Sequence, residues 1–285
     1  MLANEIHIRD PFVLTENGCY YLYGTRAADF GKKIGGFDVY TSCDLVHWSE
    51  PKPVFTSEDF DMNHGVNWAP EVHKYRGRYY LPATFTQKNS DLRGTAILSC
   101  DTPDGTFTPH SNGFITPADW YALDGTLYIE NEVPYMVFCH EHVQILNGTV
   151  EAVRLSDDLK KPVDVPFTLF RGSDAYGVTY QEGKRYITDG PFLYRHQNGS
   201  LSLIWSTVID GQYAQCRALS DNGSITGHWI QQPHLFTRDG GHGMFFRDLN
   251  DQLMLTLHRP NNQPDERPVF FPVEEQGDDL IIQPE

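Results

Sequence analysis

Ile8-Arg9-Asp10-Pro11-Phe12-Val13, close to the amino terminus, is the stretch whose reading decides the fold. An acidic residue is followed by a small or cyclic residue and then by an apolar run. The same opening recurs at Leu123-Asp124-Gly125-Thr126-Leu127-Tyr128 and at Thr188-Asp189-Gly190-Pro191-Phe192-Leu193. Two degenerate copies stand at Trp68-Ala69-Pro70-Glu71-Val72-His73 and Gly241-His242-Gly243-Met244-Phe245-Phe246. Each opening leads into a hairpin. Asp10 precedes Gly18 by eight residues, and Ala69 precedes Gly77 by eight, so Ala69 takes the place of Asp10. Asp124 precedes Tyr135 by 11 residues, as Asp10 precedes Tyr21.

The remainder of each unit is strand-like. Tyr20-Tyr21-Leu22-Tyr23 returns from the Asn17-Gly18 turn, a pair suited to positive φ, and Phe37 to Ser42 supplies a third strand. Comparable runs follow every opening, and Leu280-Ile281-Ile282 is expected to close the ring. The chain carries 15 Tyr, 17 Phe, 24 Gly and 18 Pro, and lacks long runs at helical spacing. Units of this length, with several strands each, are the signature of a β-propeller. The expectation is an all-β, five-bladed β-propeller, with residues 1–285 forming one catalytic domain. The openings then form the innermost strands, and their acidic residues crowd one mouth of the channel. The alternative is a β-sandwich whose Asp-turn starts are coincidental.

Net charge is -16, from 22 basic and 38 acidic residues. Phosphate backbones repel such a chain, so nucleic acid is not expected as a partner. Cys19, Cys43, Cys100, Cys139 and Cys216 are odd in number and lack metal-site spacing, and no disulfide framework is read from them. The first residues form neither a basic region nor an apolar stretch, so no membrane association and a cytoplasmic location are expected.

Asp10, Asp124 and Asp189 are read as equivalent carboxylates on three blades. Crowded carboxylates raise one another's pKa, so an ionised base and a protonated acid coexist at neutral pH. Glycoside hydrolysis requires that division of labour. For any one of them, the competing role is capping a turn before Pro or Gly.

With these motifs in order, the chain resembles glycoside hydrolase family 43, the five-bladed-propeller glycosidases of arabinofuranosidase and xylosidase type. The resemblance spans about residues 5 to 285 and implies an inverting mechanism. It makes Asp10 the general base, and Asp124 the residue that orients the acid and raises its pKa. The family's acid is usually a Glu in a Glu-Gly-Pro opening of blade four, where this chain has Asp189. Three explanations stay open: Asp189 is the acid, Glu141 or Glu71 supplies the proton from another blade, or the protein binds sugar without cleaving it. Arg9, Trp68, Glu71, Glu141 and Trp120 are candidate substrate contacts. His242 is the candidate contact for a structural Ca2+ or Na+ in the central channel, and no cofactor is required. The expected activity is exo-acting release of a terminal pentose, α-L-arabinofuranose or β-D-xylose, from short oligosaccharides. A β-D-galactofuranosidase and a non-catalytic carbohydrate-binding propeller are the alternatives.

Overall fold

The computed structural model describes residues 1–32, 35–57, 65–88 and 90–283. Five sheets follow one another along the chain, each built from consecutive strands. Blade one holds β1 (Ile8–Glu16), β2 (Cys19–Arg26), β3 (Gly36–Ser42) and β4 (Lys52–Thr56). Blade two holds β5 (Asn67–Trp68), β6 (His73–Tyr75), β7 (Arg78–Thr86), β8 (Arg93–Cys100) and β9 (Thr108–Pro109). Blade three holds β10 (Ala122–Glu130), β11 (Val133–His140), β12 (Thr149–Arg154) and β13 (Phe167–Arg171). Blade four holds β14 (Asp189–Arg195), β15 (Leu201–Ile209), β16 (Gln212–Ser220) and β17 (Trp229–Phe236). Blade five holds β18 (Gly241–Arg247), β19 (Leu253–Arg259), β20 (Arg267–Gln276) and β21 (Asp279–Ile282). The fold is the five-bladed propeller expected from the repeats. Leu280-Ile281-Ile282 differs from expectation: it lies in the outermost strand of blade five, paired with β20, and does not close the ring.

Neither face of a four-stranded sheet can stay wet when it alternates apolar residues, so the blades pack face to face. The apolar clusters lie between neighbouring blades. One joins blades one and two to Met244, Phe246 and Met254 of blade five. Others join blades three and four around Trp205, blades two and three around Phe138, and blades four and five around Phe271. Among the described residues, no helix is long and apolar enough to cross a membrane.

The inner strands share one irregularity. Asp10, Ala69, Asp124, Gly190 and His242 all have positive φ, between 47° and 57°. The ladder shifts register around each of the four unbroken inner strands, from Arg9 to Phe12, Leu123 to Thr126, Asp189 to Phe192 and Gly241 to Met244. In blade two the inner strand is interrupted there, leaving β5 and β6 on the same neighbour β7. Such bulges bend a strand and re-aim its side chains. Here they turn the residue at each channel mouth toward the axis.

These bulges correct one expectation. Asp10 and Asp124 occupy equivalent positions, but the blade-four residue that matches them is Gly190. Asp189 matches Arg9 and Leu123, one residue earlier.

The second strand of each blade ties its neighbour in place. Thr25, Thr84, Cys139, Ser206 and His258 face the residue that precedes the bulge. Thr25 Oγ1 accepts the Ala69 N–H at 2.7 Å, and Thr84 Oγ1 accepts the Asp124 N–H at 2.8 Å. Ser206 Oγ accepts the His242 N–H at 2.7 Å, and His258 Nδ1 accepts the Asp10 N–H at 3.1 Å. Only blade three departs: Cys139 is a poor acceptor, and the Gly190 N–H is taken by Asp124 Oδ2 at 3.1 Å. Bulging frees these amides from the ladder, and buried amides need partners. The propeller supplies each from the adjacent blade.

Candidate active site

Arg9, Asp10, Phe30, Trp68, Leu123, Asp124, Glu141, His142, Ile187, Asp189 and His242 line one cavity at the channel mouth, with about 520 Å³ of free space partly open to solvent. Seven residues singled out in the sequence therefore converge: Arg9, Asp10, Trp68, Asp124, Glu141, Asp189 and His242.

Two do not line it. Glu71 pairs with His73 Nε2 at 2.6 Å, beside Phe12, and is turned into the blade packing. Trp120 lies flat on His140, ring centroids 4.1 Å apart. Neither is retained as a site residue.

Asp10 is the anchor of the charge arrangement. His242 Nδ1 lies 3.1 Å from Asp10 Oδ1 and 3.8 Å from Asp124 Oδ2. Thr25 Oγ1 donates to Asp10 Oδ2 at 2.7 Å. Burial pushes the Asp10 carboxyl up, but His242, Arg9 and His258 together outweigh it and hold the group well below the usual carboxylate range. Burial opposes a charged His242, yet Asp10, Asp124 and Asp189 raise it to about 10. At neutral pH the site holds an imidazolium against an ionised Asp10.

His258 behaves oppositely. Burial lowers it to about 3, so it is neutral. Its Nδ1 accepts the Asp10 N–H, which places its proton on Nε2, facing Asn261 Oδ1 at 3.2 Å. Arg9 reaches from beside Asp10 to the fully buried Glu266, 2.8 Å away.

The other carboxyls are held protonation-prone. Asp124 and Asp189 are both raised, chiefly by burial and by neighbouring carboxylates, with His242 opposing. Asp189 Oδ2 accepts the Tyr213 hydroxyl at 3.1 Å. Glu141, just past β11, is raised to about 7 by burial, with Arg93 opposing and Asp189 adding to the rise.

An aromatic and guanidinium stack forms one wall. The Arg9 guanidinium lies 4.2 Å from the Phe30 ring centroid, and Phe30 stacks on Trp68 at 4.9 Å. The Arg93 guanidinium then lies 4.1 Å from Trp68 and 4.7 Å from Tyr121. The faces of Phe30 and Trp68 are taken up within the stack, so their edges and the charged groups beside them are what the cavity offers a polyhydroxylated ligand. Phe30, Arg93, Tyr213, Thr25, His258 and Glu266 escaped the sequence reading, because each stands outside the repeated openings.

His242 Nδ1 is engaged by carboxylates, and among the described residues no three His, Cys, Asp or Glu side chains could jointly hold a metal.

Carboxyl groups of opposite protonation habit, gathered at the mouth of a five-bladed propeller, are the equipment that glycoside hydrolysis requires. The family follows from the whole chain. It belongs to the glycosyl hydrolases family 43, whose sequence model matches residues 5–277. It is therefore a glycosidase by family.

Named relatives share the architecture. An endo-arabinase structure from Bacteroides thetaiotaomicron is 38% identical, with TM-score 0.87, covering 97% of this chain and 98% of that one. An extracellular endo-α-(1→5)-L-arabinanase of Bacillus subtilis is 27% identical over 103 residues, which are 34% of this chain and 30% of that protein's length. A protein of Aspergillus clavatus named as a probable arabinan endo-1,5-α-L-arabinosidase is 22% identical, covering 85% of this chain and 79% of its own.

Proposed function

We propose that this chain hydrolyses α-1,5-linked L-arabinofuranose chains at internal bonds, with inversion at the anomeric carbon. The observation that carries the reaction type is the single cavity lined by Asp10, Asp124, Asp189 and Glu141. The substrate is supported by the likeness to an endo-arabinase at 38% identity over nearly the whole chain.

Internal cleavage has support beyond the likeness. Ile187, at the cavity's blade-four side, also lines a second depression between Gly172–Ile187 and the β15–β16 turn, with Lys184, Tyr186 and Asp210. A chain can leave the cavity in that direction. A ligand that continues past the cavity favours internal bonds over terminal residues, a reading that differs from the exo-acting expectation.

In this reading Asp10 is the base. It is ionised, and it accepts a proton from water as the water attacks C1. His242, Arg9 and Thr25 fix its charge and direction. Asp124 bonds the Gly190 amide and sets the charge seen by the remaining carboxyls. The leaving oxygen needs a proton from the other face. Asp189 and Glu141 both line the cavity and both hold a proton more tightly than an ordinary carboxyl.

Debranched arabinan, arabino-oligosaccharides, and aryl α-L-arabinofuranosides and β-D-xylosides separate the readings. A ladder of oligosaccharides from arabinan supports internal cleavage. Arabinose or xylose alone returns the activity to terminal release. Sugar binding with no product from any substrate leaves a binding propeller.

A further inference from the structure

The family pattern points to blade four for the proton donor. We propose instead that Glu141, at the end of β11 in blade three, donates the proton to the leaving glycosidic oxygen. Asp189 then acts as the neighbouring carboxyl that helps Glu141 keep its proton. This assignment rests on the glycosidase reading above and sharpens it.

Reach distinguishes the two carboxyls. Asp189 is a ladder residue of β14, opposite Ser206. Its short side chain is bound by the Tyr213 hydroxyl, a donor that favours the ionised form. Glu141 lies beyond the ladder; its N–H donates to Tyr121 O at 2.8 Å, and its carbonyl accepts the N–H groups of Gln144 and Ile145 at 3.0 and 3.3 Å. Its side chain is longer by one methylene. One of its oxygens, Oε2, lies 3.5 Å from Arg93 Nη1. Among the described residues Oε1 makes no hydrogen bond.

Charge distinguishes them as well. Arg93 is clasped between the Trp68 and Tyr121 rings, which hold it at the edge of contact with Glu141. A closer guanidinium would strip the proton. Burial and the charge of Asp189 keep Glu141 near 7, where a general acid works best at neutral pH. The other charged or titratable groups beside it are His142, lowered by burial and by Arg185, and Asp189 itself.

The step balances. The Glu141 proton passes to the glycosidic oxygen as the C1–O bond breaks, and that bond's electron pair leaves with the oxygen. Water forms the new C1–O bond on the opposite face and yields its proton to Asp10. Glu141 ends ionised and Asp10 protonated, and solvent restores both.

Glu141→Gln and Asp189→Asn, compared on two leaving groups, test the assignment. A dinitrophenyl glycoside leaves without a proton, whereas a phenyl glycoside or an arabinan bond needs one. Glu141→Gln is expected to lose about 10²–10⁴-fold on the second class and to change little on the first. It also loses the basic limb near pH 7. Asp189→Asn should lose similar factors on both classes. The reverse pattern, with leaving-group dependence in Asp189→Asn only, overturns the assignment. Wild-type protein without hydrolysis of any substrate would instead overturn the glycosidase reading. Unchanged circular dichroism in both variants excludes misfolding.

A separate observation concerns the opposite end of blade one. Tyr20 pairs with Ser42 on β2 and β3, and Cys19 and Cys43 flank that pair just past the last rung of the ladder. Their sulfurs are 3.9 Å apart, and both thiols are unbonded to sulfur. Facing residues of antiparallel strands have Cα atoms about 4.5–5.5 Å apart, inside the disulfide range of about 4.4–6.8 Å. Cys43 is exposed and Cys19 partly so, beside a surface depression. We infer that Cys19 and Cys43 form an intrachain disulfide on exposure to a small-molecule disulfide oxidant. Two thiols lose two protons and two electrons, and the oxidant becomes two thiols. The closed loop includes Phe30.

Native protein treated with oxidised glutathione should lose two hydrogens in mass and give a linked peptide pair containing Cys19 and Cys43. Cys43→Ser should abolish the link. Glutathione adducts on the separate thiols, or no change in mass, would overturn the inference.

Discussion

His242 holds its Nδ1 3.1 Å from Asp10 Oδ1, a contact between blades five and one that fixes the ionised state of the proposed base. Arg9, His258, Asp124 and Asp189 also face this pair. Removing the imidazolium deletes the strongest attraction on Asp10, so its carboxyl pKa rises. His242→Asn is expected to move the acidic limb of the kcat/KM profile to higher pH and to lower its maximum about tenfold or more. An unmoved acidic limb would show that another group titrates there.

Gly190 lies directly against that ring. A Cβ at this position would sit 2.5 Å from the His242 ring, on a backbone with φ of +50°. The left-handed conformation alone costs a residue with a side chain about 1–2 kcal/mol. Gly190→Ala should therefore lower both Tm and kcat/KM. Gly77, with φ of +83° and nothing within 4 Å, is the control: Gly77→Asn should change Tm little and leave activity intact. Equal activity of the two variants would contradict the packing argument.

These two residues also show what could be read in advance. Asn17-Gly18 and Arg76-Gly77 make short hairpins, so counting back from the turn placed Asp10 and Ala69 in register. The same count failed in blade four. Arg195 pairs with Leu201 across a longer turn, and Asp189-Gly190 looks like Asp124-Gly125 although the left-handed residue is the glycine. The wall of the site was illegible for another reason. Phe30 and Arg93 lie in connections and outer strands, and His258 reaches Asp10 across 248 residues. Ring closure alone brings them together.

Thr25 makes two buried bonds through one hydroxyl. It donates to Asp10 Oδ2 and accepts the Ala69 amide, both at 2.7 Å. Thr25→Val leaves that amide unsatisfied and is expected to destabilise the fold by about 1–3 kcal/mol. Thr25→Ser should restore most of the stability and the activity. Denaturant titration measures both, and a neutral Thr25→Val would remove the inter-blade bond from the account.

Trp68 is held between Phe30 and Arg93 at the cavity wall. Both faces of its ring are covered, so Trp68→Ala is expected to free Arg93 beside Glu141 and to lower kcat for arabino-oligosaccharides about tenfold, with a smaller change in KM. Trp68→Phe should lie between. A rise in KM with unchanged kcat would make Trp68 a direct sugar contact instead.

The account stands most directly on the face from which water attacks. Proton NMR of α-1,5-arabino-oligosaccharide hydrolysis, followed before mutarotation, reads the anomer first formed. Asp10 acting as base on water predicts that the new reducing end appears as the β-anomer, and that Asp10→Asn forms almost none. First appearance of the α-anomer, or full activity in Asp10→Asn, would contradict it.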